Sequence, residues 1–375
     1  RSLNGKAVKI TASPSLTLPE IIKVARTIKG LNMVGIVDSH SLGVRQDYKE
    51  LLANGVLHSL EGGGYRSGNL AIIPGMETEL KVGEGHAHFL AFFSSINHLE
   101  EFCKTIQQSV RNWQLSSQKA HLEARDWVLG VEEVGGIWFP AHAFTPHKGI
   151  YGSCCERIQG VLPMLPKALE MGLSADRSMA RCLSEVDNMV LLSNSDAHSL
   201  ANIAREYNCL ELEDNSFDGL SNLIKNKRGK IIQNYGMHPK MGKYHRSYCT
   251  YCSRIIDTEP PVLRCPYCAS QKIVLGVLDR LTFIADRKFS LYEEDHSYVY
   301  RVPLGLLPGI GPKKYAQLLG KFGTELAVYH DANIEDLISL IGEKIATIVI
   351  RAREGGLEFS AGGGGYFGKV IDIVY

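Results

Sequence analysis

The chain has 375 residues, 45% hydrophobic and 22% charged, with a formal net charge of +1. That is the composition of a folded chain, long enough for a barrel-sized domain plus one or two smaller ones. It has no apolar stretch long enough to cross a membrane, and so small a net charge argues neither for nor against nucleic acid.

In chain order, residues 18–29 (LPEIIKVARTIK) have helical periodicity with Pro19 in the first turn, and Gly30 ends the helix. MVGIV (33–37) then reads as a buried strand. Segment 61–68 (EGGGYRSG) reads as a turn-rich connection. Strands are expected at 70–74, 88–93, 136–141 and 189–194, and helices at 98–109, 115–128 and 178–186. Strand-like NCLELE and helix-like DGLSNLIKN close this part, and the alternation favours a parallel β/α architecture. From Lys225 to Arg246 there are seven Lys or Arg and no acidic residue. A cysteine-rich segment (249–268), a helix near 274–287 and a helical region from 303 follow. The chain ends in a glycine run, Gly362–Gly365, and an apolar strand-like tail, KVIDIVY.

Four short strings carry the chemistry: Asp38-Ser39-His40, Glu77-Thr78-Glu79, His86-Ala87-His88 and Asp196-Ala197-His198. Residues i and i+2 of a strand share a face, so each doublet can aim two donors at one point. Three doublets end apolar runs, and the His86–His88 doublet opens one. Ligands gathered at strand ends are how barrels and open α/β sheets build active sites. His, Asp and Glu together suit zinc, manganese or iron, and clustered cations serve phosphodiester hydrolysis. His58, His98, His121 and His330, each isolated, read as structural, and Trp138 as core.

Cys249-x-x-Cys252 and Cys265-x-x-Cys268, separated by 12 residues, have the spacing of a four-cysteine zinc ribbon. Two disulfides are the competing reading. The lack of a secretion leader disfavours them, and a reducing cytoplasm is the expected compartment. Tyr244, Tyr248 and Tyr251 are candidates for base stacking, with packing around the knuckles as their alternative role. LLPGIGPKK (306–314) has the pattern of a helix-hairpin-helix, in which Gly309 and Gly311 permit a tight turn. Backbone N–H groups there face a phosphate, and Lys313 and Lys314 add charge. A plain helical connection is the alternative.

GIVDSH, PGMETE, HFLAFF, PAHAFTP and SNSDAHS resemble, in order, the later motifs of the polymerase-and-histidinol-phosphatase (PHP) phosphoesterase superfamily. The resemblance implies an α/β fold, a distorted (β/α)7 barrel with a multinuclear metal site at the strand C-termini. It also implies the ligands His40, Glu77, His88, His142, Asp196 and His198, with Asp38 in support. Asp196, His198, His142 and Glu77 would form the catalytic set. The superfamily's first His-x-His motif is absent, and the start at Arg1 suggests truncation just after it. Such a chain is expected to lose a metal and with it activity, and a natural pseudoenzyme is the alternative. A PHP-like barrel (1–240), a ribbon (241–298) and a helical, hairpin-bearing region (299–375) together resemble the endonuclease Q family. That family implies zinc in the ribbon and divalent metals (Zn2+, Mn2+ or Mg2+) in the barrel. Its activity would be cleavage of DNA on the 5′ side of uracil, hypoxanthine, xanthine or an abasic site. A replication clamp is a partner the sequence does not identify. A small-molecule phosphatase and a non-catalytic DNA-binding protein are the rivals.

Overall fold

A computed structural model describes residues 1–116, 118–287 and 297–372. The first part is built around one 13-residue strand, Leu70–Val82. Leu70, Ile72, Ile73 and Leu80 on it are fully buried, so both faces of the strand are covered. It pairs in parallel with Met33–Ile36 over its first half and with Gln118–Glu123 over its second. The strand Gly85–Phe92 folds back on it as an antiparallel hairpin and pairs antiparallel with Ile137–Pro140 in turn. Separate small sheets follow: Ala168–Glu170 with Val190–Leu192 in parallel, and Tyr207–Glu211 antiparallel to Lys230–Gly236. The expected distortion of the barrel takes this form: an α/β order of strands interrupted by a long hairpin.

The main core lies between this sheet and the helices Ile96–Ile106 and Ala124–Glu133, with Phe89, Phe93, Phe102 and Trp127 fully buried. Four helices, Pro312–Phe322, Glu325–His330, Ile334–Ile341 and Glu343–Arg353, enclose a second core of Leu318, Val328, Leu337 and Val349. Lys29 and Glu325 join the two parts through a buried ion pair of 2.9 Å, and the Tyr207 hydroxyl lies 3.1 Å from His330 Nε2. A third, small core of Cys249, Ile256, Val262 and Cys265 holds the ribbon. The helix Val277–Ile284 packs Val277, Leu281 and Ile284 on the main core, while its Asp279 accepts from the Ser247 and Val262 N–H groups of the ribbon. No helix among the described residues is long and apolar enough to cross a membrane.

Two local expectations are corrected. Residues 115–128 are not one helix: Gln118–Glu123 is a strand and the helix begins at Ala124. The 61–68 connection contains a short strand, Tyr65–Ser67, paired between His58–Ser59 and Leu70–Val82. The helix Leu42–Ala53 was not foreseen. Residue 117, residues 288–296 of the expected ribbon module and the last three residues of the apolar tail lie outside the described residues.

Candidate metal centre and nucleic-acid interface

The hairpin brings the acidic and histidine doublets together. Glu79 stands directly opposite His88 in the register, and Glu77, two residues earlier, shares its face. His88 Nδ1 lies 3.1 Å from Glu77 Oε1, and His88 Nε2 lies 3.8 Å from Glu79 Oε2. His142 enters from the end of the neighbouring strand Ile137–Pro140, its Nε2 3.2 Å from His88 Nδ1 and 3.8 Å from Glu77 Oε1. Glu77, His88 and His142 thus offer ligand atoms that all lie within 4.8 Å of one another.

Hydrogen bonds aim these rings. His142 Nδ1 is held 3.0 Å from Thr145 Oγ1, which leaves Nε2 toward the centre. His40 Nε2 lies 3.1 Å from the Leu115 carbonyl, which requires that nitrogen to donate. The buried Nδ1 is then a bare acceptor with no hydrogen-bond partner. Asp38 Oδ1 is likewise buried and unpartnered. One carboxylate with two imidazoles, beside unpartnered His and Asp atoms, is a donor set that fits zinc, manganese or iron.

Charge in the centre is strongly coupled. Burial opposes ionisation of Glu77, but the His88 hydrogen bond and the charges of Lys9, His88 and His142 outweigh it, so its pKa sits well below the usual range. For His88, hydrogen bonds to Glu77 and Glu79 overcome burial and push its pKa up to about 9. The His88 hydrogen bond and, against burial, the nearby Lys148 ammonium hold Glu79 down to about 2. Burial lowers His142.

Asp196 and His198 lie outside the trio. They sit in the loop after Val190–Leu192, 38% and 34% exposed, with His198 Nδ1 3.5 Å from Asp196 Oδ1 and 3.1 Å from the Asp196 carbonyl. Asp196 still borders the centre, because its charge acts on Lys9, His142 and Glu170. His142 and Asp196 both have positive φ, 30° and 39°, a strained backbone often found at functional sites.

Three residues beside the centre escaped sequence reasoning. Lys9 Nζ lies 3.2 Å from Glu77 Oε2, and Lys148 Nζ lies 2.6 Å from Glu79 Oε1. Glu170 is buried; it accepts from the His142 N–H at 3.3 Å and from Asn194 Nδ2 at 3.0 Å. Burial, reinforced by the Asp196 charge, pushes its carboxyl up to about 8. A position directly after an apolar run was the one available signal for Glu170. Lys9 offered none.

In the ribbon, Cys249 and Cys268 Sγ atoms are 3.7 Å apart, as are those of Cys252 and Cys265. A tetrahedron with Zn–S arms of roughly 2.3 Å has edges of about 3.8 Å, whereas a disulfide would need about 2.05 Å. The four thiols therefore fit a metal and exclude the disulfide reading. At the hairpin, Gly309 has φ 84° and buried Ile310 anchors the turn. Gly311 caps Pro312–Phe322, and the exposed Lys313 lies in its first turn. A single 3-10 turn, Leu304–Leu306, precedes the hairpin instead of a helix. The basic stretch is partly neutralised: Arg228 pairs with Glu213, Lys230 with Glu211 and Arg246 with Asp257.

No family model matches the sequence. The chain is 36% identical over 378 residues to the uncharacterized protein YqxK of Bacillus subtilis (strain 168), covering 99% of this chain and 96% of that one. Over 249 residues it is 32% identical to the uncharacterized protein MJ0043 of Methanocaldococcus jannaschii, 61% of this chain and 31% of that one. The crystal structure of the lesion-specific endonuclease PfuEndoQ from Pyrococcus furiosus matches with a TM-score of 0.81 and 28% identity, over 97% of this chain and 93% of that one. Endonuclease Q in complex with a 27-mer duplex carrying an abasic lesion at the active site matches with a TM-score of 0.80 and 28% identity, over 98% and 94%. Likeness of that extent runs through the hairpin-built centre, the four-thiol cluster and the C-terminal helices alike, and the chain belongs to the endonuclease Q family.

Proposed function

We propose that this protein is a DNA-repair endonuclease that hydrolyses the phosphodiester on the 5′ side of an abasic site or a deaminated base (uracil, hypoxanthine or xanthine). The observation that carries the reading is the Glu77–His88–His142 cluster in a chain alike, over nearly its whole length, to a nuclease caught on an abasic duplex. Glu77, His88 and His142 would hold a divalent metal, with His40, Asp196 and His198 completing a larger centre. Such a metal would supply a Lewis acid and an activated water at neutral pH.

The chain's own groups do the rest. Lys9 and Lys148 place two ammonium groups beside the carboxylates, where they can meet an incoming phosphate. Glu170 ties the His142 backbone and Asn194 together and so fixes the approach of the His142 ring. Gly309, Gly311, Lys313 and Lys314 would hold the DNA backbone without reading sequence, and the ribbon would carry a structural zinc. A damaged nucleotide unstacks cheaply, which supplies part of the selectivity. We divide the chain into a barrel (1–240), a ribbon (241–298) and a hairpin domain (299–375), each contributing to a core of its own, with the helix Val277–Ile284 of the middle segment shared with the barrel core. Free thiols at zinc spacing suit a reducing cytoplasm.

The test is incubation of the protein with end-labelled duplexes. These carry an abasic site, uracil, hypoxanthine or no lesion, with Mn2+, Mg2+ or Zn2+ present. Nicks 5′ to the lesion, leaving 3′-hydroxyl and 5′-phosphate ends, are expected. Phosphomonoester turnover without DNA binding would replace the reading with a small-molecule phosphatase. Binding without cleavage, with one zinc per chain, would replace it with a non-catalytic binder.

A further inference from the structure

The glycine run near the C-terminus is unexplained by the catalytic reading, and its geometry is specific. Gly363 and Tyr366 close a tight turn by reciprocal backbone hydrogen bonds of 3.1 and 3.0 Å. Four more backbone bonds lace this segment to residues 240–246. Gly362 N donates to Lys240 O, Arg246 N to Gly362 O, Gly365 N to Lys243 O and Gly368 N to Met241 O, at 2.7–3.1 Å. The approach is so close that a Cβ at Gly368 would overlap the Lys240 and Ser360 carbonyl oxygens, and one at Gly364 would enter the Tyr248 ring. The turn is therefore braced, and Tyr366, which closes it, and Phe367, which follows, stand 70% and 53% exposed.

Two adjacent aromatic rings held out into water on a braced turn gain nothing for the core. Their surroundings are cationic. Lys243 Nζ lies 6.0 Å from the Phe367 ring and 5.0 Å from the Tyr244 ring. The Tyr244 ring meets His147 edge-on at 5.2 Å, and the next residue, Lys148, is bonded to Glu79 of the metal centre. Aromatic faces alternating with lysines, and leading to a carboxylate–imidazole centre, match the chemistry of an unstacked polynucleotide strand: rings for bases, ammonium groups for phosphates.

We propose that Tyr366 and Phe367 form an exposed aromatic pair beside the braced turn that stacks on a nucleobase of the DNA strand beside the lesion, with Lys243 meeting the adjoining phosphate. The inference rests on the endonuclease reading and adds to it a contact that holds the opened strand.

The test uses the full chain and abasic duplexes with 2-aminopurine at successive positions flanking the lesion, compared with undamaged duplex. Binding is followed by anisotropy and unstacking by 2-aminopurine fluorescence. Tyr366→Ala combined with Phe367→Ala is expected to weaken binding to the lesion duplex about tenfold, to remove the fluorescence change at one flanking position, and to leave binding of undamaged duplex within about twofold. Tyr366→Trp with Phe367 intact should keep the affinity, and its indole emission should be quenched on lesion duplex. Both side chains are exposed, so these variants should retain the wild-type circular dichroism. If the wild-type chain binds and nicks and the double variant does both equally with an unchanged fluorescence response, the aromatic pair is not a stacking surface. If the wild-type chain binds no DNA, the endonuclease reading falls and takes this inference with it.

Discussion

The ammonium of Lys9 lies 3.2 Å from Glu77 Oε2, largely buried in a centre otherwise rich in carboxylates. Burial works against its charge, yet Glu77, Asp38 and Asp196 more than compensate and raise its pKa above the ordinary lysine value. Lys9 therefore supplies a positive charge at the place where a metal would. Lys9→Met should destabilise chelator-treated protein by about 1–3 kcal/mol in urea unfolding, since Glu77 loses a partner while staying buried. The same variant should bind Mn2+ more tightly by calorimetry, because a competing cation is gone. Weaker Mn2+ binding would assign Lys9 a supporting role instead.

Glu77 and Asp196 test the centre from its two sides. Loss of partners that merely orient metal ligands costs roughly 10- to 100-fold in affinity or activity. Glu77→Gln, removing the carboxylate that His88 and His142 share, should exceed that loss in nicking rate and leave duplex binding largely intact. Asp196→Asn should abolish nicking in the same assay. Nicking retained by Asp196→Asn would remove this residue from the site and leave the trio as the whole centre.

The hairpin should reveal itself through salt. Each phosphate contact contributes roughly 0.9 to the slope of log affinity against log salt concentration. Lys313→Ala with Lys314→Ala should lower that slope by about 1–2 and weaken damaged and undamaged duplexes equally. An unchanged slope would mean that the hairpin faces away from DNA.

Away from the centre, Glu206 is fully buried and accepts from the Met237 N–H at 2.9 Å. Burial pushes its carboxyl up to about 8 from the ordinary 4.5. The folded state then holds a proton that the unfolded chain releases, so this group's contribution is fully present below pH 4.5 and is lost as pH rises through about 8. Glu206→Gln, which stays neutral, should raise Tm at pH 9 and change it little at pH 4. An equal shift at both would point to packing alone.

The sequence made the Glu77–Glu79 and His86–His88 doublets legible because a strand has a period of two, whereas Asp38–His40 and Asp196–His198 lie in loops after their strands. Glu77 and Glu79 share a face, and their hairpin partner His88 sits opposite Glu79 as an alternating ladder requires. The thiol spacing was legible for a similar reason, since two knuckles close locally. Other features depend on contacts that no local pattern encodes. The helix Leu42–Ala53 buries Arg45, which pairs with Glu100 at 2.8 Å, and Asp47, which accepts from the Leu3 N–H. Polar residues on the inward face erased its apolar stripe. Residues 118–123 pair as a strand with Leu70–Val82 although their spacing suits a helix, so tertiary pairing overrode local preference. Lys9 reaches Glu77 across 68 positions of chain, and nothing near it in sequence marks the meeting.

The buried bond between Lys29 and Glu325, formed across 296 positions, has a mechanical consequence. Breaking it would strand a charge in a dry interior, so the C-terminal helices are not free to swing toward the carboxylate–imidazole centre. On the proposed grip at Lys313, the duplex rather than the protein would do the bending. Pliant, lesion-weakened DNA would reach the site with less elastic resistance than an intact rod, and stiffness would help sort substrate from bystander before any base is read.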